Sequence, residues 1–216
     1  MKVSVLLTAL FLGSMLAGAP VQAASMSGMS MPSAAAAPPS ATEKAYITRV
    51  AHVLLAKYPT VASARAAGYF KMTGIMGGTA IYFDHRFSGI TPLHPNFLWY
   101  SRQGRLVGLD YEYPQSRYPK PPVSRFPIGA ARWTVVHQHA HIAYRLPNGT
   151  VHLRGIRAYP NLRLGKITPA ELTADKVLPT GAALIWAYFH PTCWDLGFWL
   201  VPNPKGAFAD LNPLVP

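Results

Sequence analysis

Carboxylates are scarce in this chain: Asp and Glu number 8 against 20 Lys and Arg in 216 residues. That speaks against a calcium cage, whose ligands are mostly carboxylate oxygens. The single Cys, Cys193, excludes an intramolecular disulfide framework and any all-thiolate zinc site. Phosphate-binding loops are missing too. Gly74-Ile75-Met76-Gly77-Gly78 fits neither a P-loop nor a dinucleotide fingerprint. There is no Gly-x-Ser-x-Gly nucleophile elbow. What is present is a formal charge of +12, 50% hydrophobic residues and 8 His. Such a chain is too apolar for disorder, and its length suits one domain with a single core.

The N-terminus reads as a secretory signal over 1–23. Lys2 supplies the positive end, Val3 to Leu16 the short apolar stretch, and Val21-Gln22-Ala23 the small residues before cleavage. The apolar run is too short for a comfortable membrane span. No Cys follows it, so a lipoprotein anchor is excluded. The mature chain is expected in the periplasm or outside the cell, with no stable span and no nucleic-acid partner. Residues 24–41 are rich in Ala, Ser and Pro and read as a flexible tether. Met26, Met29 and Met31 on it are thioethers, soft ligands suited to Cu(I).

Residues 42–216 read as one α+β domain, with N-terminal helices followed by a curved, mainly antiparallel β-sheet or open barrel. Thr42 is the expected cap of a helix to Lys57, with Ile47, Val50, Ala51, Leu54 and Tyr58 on its apolar stripe. Thr60 caps a shorter one over Val61 to Ala67, with Gly68 as its stop. Strands are expected at Thr79–Asp84, Phe97–Ser101, Leu106–Tyr113, Trp133–Leu146, Val151–Arg157, Leu184–His190 and Leu196–Val201. Thr168-Pro169 opens a helix to about Lys176. The proline-rich 113–127 segment reads as a surface loop.

The most informative stretch is Trp133-Thr-Val-Val-His137-Gln-His139-Ala-His141-Ile-Ala-Tyr144. As one strand it places Trp133, Val135, His137, His139 and His141 on one face. Same-face neighbours stand about 6.8 Å apart, close enough for two imidazoles to converge on one ion. Imidazole suits Zn, Cu, Fe and Ni alike. One adjacent His pair is expected to ligate, with the third His supporting it or standing alone. Further ligands are expected from strand ends and turns: His94, His190 with Cys193, or His85. The turn Pro147-Asn148-Gly149-Thr150 predicts a two-residue type I′ loop, which sets Arg145 opposite His152 and puts His152 on the histidine face. Asp110 and Glu112 share a strand face as an acid/base pair or as ligands, though such residues more often pair with Arg.

From Ala64 onward the chain resembles an uncharacterised group of secreted bacterial proteins. The resemblance is carried by Ala66-Ala67-Gly68-Tyr69, Phe97-Leu98-Trp99-Tyr100, Arg105-Leu106-Val107-Gly108, and His137-Gln138-His139 after Trp133. The most specific part is the closing Trp199-Leu-Val-Pro-Asn203-Pro204-Lys-Gly206-Ala-Phe208-Ala-Asp-Leu-Asn212-Pro213. Members of the group often carry a His shortly before the closing Asn-Pro, where this chain reads Leu196-Gly197-Phe198-Trp199. The resemblance implies export and a shared fold and brings no activity with it.

These features predict an exported protein whose cofactor is a transition-metal ion, copper before zinc, bound through His137, His139, His141, His94, His190 and Cys193. One alternative is a redox or hydrolytic metalloenzyme with an open coordination position at the same His pair. Another is a binder of a small molecule or an anionic polymer through the basic surface, which includes Arg117, Lys120 and Arg125.

Overall fold

A computed structural model describes residues 37–84, 86, 91–156 and 168–216. The leader, Met26, Met29, Met31 and His85 lie outside the described residues. Helix α1 (Ala41–Lys57) starts one residue before Thr42, because Ser40 caps it. The Ser40 side chain accepts from the Glu43 amide, and Glu43 reaches back to the Ser40 amide, closing a capping box. Helix α2 (Val61–Ala66) has Thr60 as its cap, and Gly68 follows with φ +97°. Helix α3 (Pro169–Ala174) is capped by Thr168.

Among the described residues there are nine strands: β1 (Phe70–Lys71), β2 (Thr79–Phe83), β3 (Phe97–Ser101), β4 (Leu106–Pro114), β5 (Thr134–Val136), β6 (His139–Arg145), β7 (Val151–Ile156), β8 (Ala183–His190) and β9 (Cys193–Trp199). They form two antiparallel sheets instead of one curved sheet, and neither closes into a barrel. The larger has the order β1-β2-β3-β4-β9-β5, the smaller β7-β6-β8. Period-two alternation assigns the faces. One face of the large sheet carries Tyr82, Tyr100, Leu109, Tyr111, Tyr113, Leu196 and Phe198, which form a core with Tyr46, Val50 and Leu54 of α1. The other face meets the small sheet, where Phe83 lies against Tyr188 at 4.8 Å and Phe70 against Trp186 at 5.6 Å. Ile142 and Tyr144 on the far side of the small sheet join Leu172, Val177 and Leu178 around α3.

Two expectations are corrected. The strand expected over Trp133–Leu146 is two strands in different sheets: β5 pairs with β9, and β6 with β7 and β8. The chain leaves the ladder at His137 and Gln138 to step across. His190-Pro191-Thr192-Cys193 makes the return step, from β8 to β9. A strand paired straight through could not belong to both sheets. The crossings are tied together, since the Gln138 amide donates to Thr192 Oγ1 at 3.2 Å.

The hairpin register is also one residue off. Tyr144, not Arg145, faces His152, and their rings stack at 5.3 Å. His152 therefore lies on the face opposite His139 and His141. The loop has three residues instead of two. Leu146 and Thr150 pair, and the Gly149 amide donates to the Leu146 carbonyl at 2.9 Å. Pro147 pre-sets the first position of an ordinary turn, and Gly149 alone takes the left-handed conformation, at φ +85°.

Candidate metal centre

The two crossings bring the site together. His139 at the start of β6 pairs with His190 at the end of β8, and Val136 at the end of β5 pairs with Cys193 at the start of β9. On the large sheet, β4 and β9 present Asp110, Glu112, Cys193 and Asp195 on the face towards the small sheet, with Glu112 directly opposite Asp195. On the small sheet, His139, His141, Tyr188 and His190 share the facing surface. Polar groups thus meet in a buried layer between the sheets: His139, His141, His190, Glu112 and Asp195 are each at most 6% exposed, and Cys193 is 0%.

The hydrogen bonds assign the protons. His139 Nδ1 lies 2.8 Å from the His137 carbonyl, which can only accept. His139 must therefore carry its proton on Nδ1, leaving a lone pair on Nε2. That lone pair faces His141 Nε2 at 2.8 Å, so His141 supplies the proton between them. His141 stays neutral: burial, and then its neighbours His139 and His190, hold its pKa well below the ordinary value. His190 Nδ1 lies 2.7 Å from the Pro191 carbonyl, and its Nε2 lies 2.5 Å from Glu112 Oε2. Both its nitrogens face acceptors, which makes it an imidazolium paired to a carboxylate. Burial opposes that charge, but the Glu112 carboxylate outweighs it and leaves the His190 pKa raised. The His139 and His190 rings stack at 4.4 Å between centroids.

Ligand atoms of Glu112, His190 and Cys193 all lie within 4.8 Å of one another, and this buried group can hold a metal ion. Tetrahedral Zn–N, Zn–O and Zn–S bonds place donor atoms about 3.2–3.7 Å apart, so the His190 Nε2–Glu112 Oε2 pair, at 2.5 Å, has to open to admit an ion. The ion would replace the proton between His190 and Glu112. Burial, and then the carboxylates of Glu112 and Asp195, push the Cys193 thiol far up, so it stays protonated until a cation arrives.

No protein-family model matches the chain, and neither curated proteins nor solved structures include a significant match.

Of the residues expected to ligate, His139, His141, His190 and Cys193 come together. His137 does not join them: it sits at the crossing with an exposed side chain and contributes its carbonyl. His94 is engaged elsewhere, its Nε2 2.9 Å from Asp84 Oδ2, and Arg86 grips the same carboxylate. Of Asp110 and Glu112, read from the strand face as an acid/base pair, as ligands or as partners of Arg, Glu112 holds His190. Asp110, likewise, accepts from the Trp99 indole at 2.5 Å. Asp195 carried a readable signal: Cys193, Asp195 and Gly197 alternate with the bulky Trp194, Leu196 and Phe198, which marks a small polar face on a buried strand.

Proposed function

We propose that this chain is an exported metal-binding protein that holds a transition-metal ion, copper preferred, in the buried layer between its two sheets. The observation that carries the reading is the paired commitment of His139 and His190. Each gives its Nδ1 to a backbone carbonyl; His190 turns its Nε2 to Glu112 beside Cys193, and His139 turns its Nε2 to His141. Metal-ligating histidines are held this way, the outer hydrogen bond fixing tautomer and ring orientation. Imidazole and thiolate suit copper and zinc, and the thioethers of Met26, Met29 and Met31 tilt the choice to copper. His190 is 2% exposed and Cys193 0%, which favours capture and retention over turnover of a substrate.

The test is metal analysis of the mature chain after stripping and reloading, first with Cu(I) and then with zinc. About one tightly held ion per chain is expected, lost in His139→Ala with His190→Ala. Cobalt substitution should give a thiolate-to-metal charge-transfer band that disappears in Cys193→Ser. Negligible uptake of both metals by the wild-type chain sinks the reading.

A further inference from the structure

The scarce carboxylates are mostly turned inward. Glu43, Asp84, Glu112 and Asp195 are buried. Glu43 is paired with Arg132, Asp84 with Arg86, and Glu112 with His190. Asp110 and Asp195 share a side-chain hydrogen bond in the layer between the sheets. That leaves Glu171, Asp175 and Asp210 as the exposed acids. Glu171 is turned back onto Thr168 to cap α3, and Asp175 ends the same helix. The positive balance of the chain is therefore displayed on its exterior.

The cations gather where no exposed acid lies. Helices α1 and α2, the turn 102–105 and the segment 113–127 cover one face of the large sheet, over the core that holds Tyr46, Ala64, Tyr113 and Phe126. Tyr46 of α1 meets Phe126 edge-on at 6.3 Å, and the Val61 amide of α2 donates to the Gly104 carbonyl at 3.2 Å. On this cover Lys44, Arg49 and Lys57 stand exposed on α1, and Arg65 on α2. Arg102 and Arg105 stand exposed on the turn, and Arg117, Lys120 and Arg125 on the segment. Its one acid, Glu43, is buried under Arg132. None of the exposed cations forms an ion pair among the described residues. Several rest on tyrosine rings instead. Arg49 lies 5.6 Å from the Tyr46 centroid, Lys57 4.9 Å from that of Tyr58, and Arg117 and Arg125 each 5.8 Å from that of Tyr118. A ring holds a cation in position without neutralising it. Pro119, Pro121 and Pro122 stiffen the segment that carries Lys120.

We propose that this face binds a linear acidic polysaccharide, whose anionic groups engage the exposed Arg and Lys. The proposal goes beyond the metal-binding reading and does not depend on it. Arg outnumbers Lys on this cover, and the planar guanidinium fork matches carboxylate oxygens two at a time. From Lys44 to Lys57 the cations of α1 alone span about 20 Å by helical rise, a length that suits a chain of anions over a single small one. Among the described residues, Val123 is the one large hydrophobic exposed on this cover. Seating in a bilayer takes a continuous apolar face, so a dissolved polymer fits better than a lipid surface.

The experiment uses the full mature chain in EDTA, so that metal plays no part. Calorimetric titration with polygalacturonate measures the affinity, with neutral dextran, phosphatidylglycerol vesicles and duplex DNA as comparisons. Polygalacturonate is expected to bind and dextran not, with the affinity falling at least about tenfold between about 50 and about 200 mM NaCl as counterions are released. Arg49→Gln, Arg117→Gln and Arg125→Gln together should weaken binding at least about tenfold. The control triple Arg145→Gln, Lys176→Gln and Lys205→Gln removes the same charge elsewhere and should weaken it by no more than about twofold. Thermal melts confirm that both triples fold. Equal weakening by the two triples overturns the face, since net charge alone would then account for binding. No binding of polygalacturonate by the wild-type chain, or binding indifferent to salt, overturns the proposal outright. Tighter binding to the vesicles or to DNA overturns the polysaccharide as partner.

Discussion

Replacing Glu112 by Gln isolates the charge in the His190–Glu112 pair while keeping its size. In the metal-free protein His190 is held as an imidazolium by Glu112 at 2.5 Å and by the Pro191 carbonyl at 2.7 Å. Its pKa is raised in the fold, because the carboxylate outweighs the opposing effect of burial. A basic group raised above its ordinary value of 6.5 contributes its full stability below that pH and loses it as pH rises through the folded value. The Gln variant should therefore lose most at acid pH. Removing one partner of a buried pair costs about 3–5 kcal/mol, whereas above the folded pKa only a neutral hydrogen bond worth about 1 kcal/mol is at stake. With a urea slope near 2 kcal/mol per molar, the midpoint should fall by about 1.5–2.5 M at acid pH and by about 0.5 M at alkaline pH. The assay is urea unfolding in EDTA, followed by Trp fluorescence at about pH 5.5 and about pH 9. Equal losses at the two pH values, or a larger loss at the alkaline one, would refute the imidazolium assignment.

Gly197→Ala drives a Cβ into Asp110 Oδ1 and to 3.0 Å from the Trp99 ring. It should cost about 1–3 kcal/mol and shift Trp emission; an unchanged melting temperature and spectrum would count against this close packing at Gly197. Burial raises the pKa of Asp84, but hydrogen bonds from Arg86 and His94 outweigh it and hold the pKa at about 2, so its stabilisation is present above 3.8 and lost as pH falls through about 2. Asp84→Asn should then be about 1–2 kcal/mol less stable at neutral pH, after allowance for solvent screening at the exposed Arg86, and the gap from wild type should close in acid; a gap independent of pH would be the contrary result. Arg132 clamps the Glu43 carboxylate and the carbonyls of Ala37 and Pro38 with its fork. Lysine has no such fork, so Arg132→Lys should speed amide exchange in the first turn of α1, and unchanged exchange would speak against the clamp.

Local signals were readable wherever one element answers to one pattern. The caps Thr60 and Thr168 and strand β3 fall where the sequence places them. The sheet crossing at His137 was not legible, because residues on both sides of it alternate as strand residues do. Only their partners, β9 on one side and β7 and β8 on the other, distinguish the halves. The histidine cluster was half visible: spacing pairs His139 with His141, but stacking on His190 depends on which strands become neighbours. Glu112 and Asp195 are set opposite each other by a register between segments far apart in sequence. No local pattern encodes that register.

The centre draws on residues far apart in sequence. An ion held jointly by Glu112 and Cys193 closes a loop of roughly eighty residues, and by chain-entropy arithmetic such a cross-link is worth about 4.5 kcal/mol. The single thiol, unable to form an internal disulfide, would then serve as one end of a removable staple between β4 and β9. Loading and unloading the ion would then set the protein's resistance to unfolding.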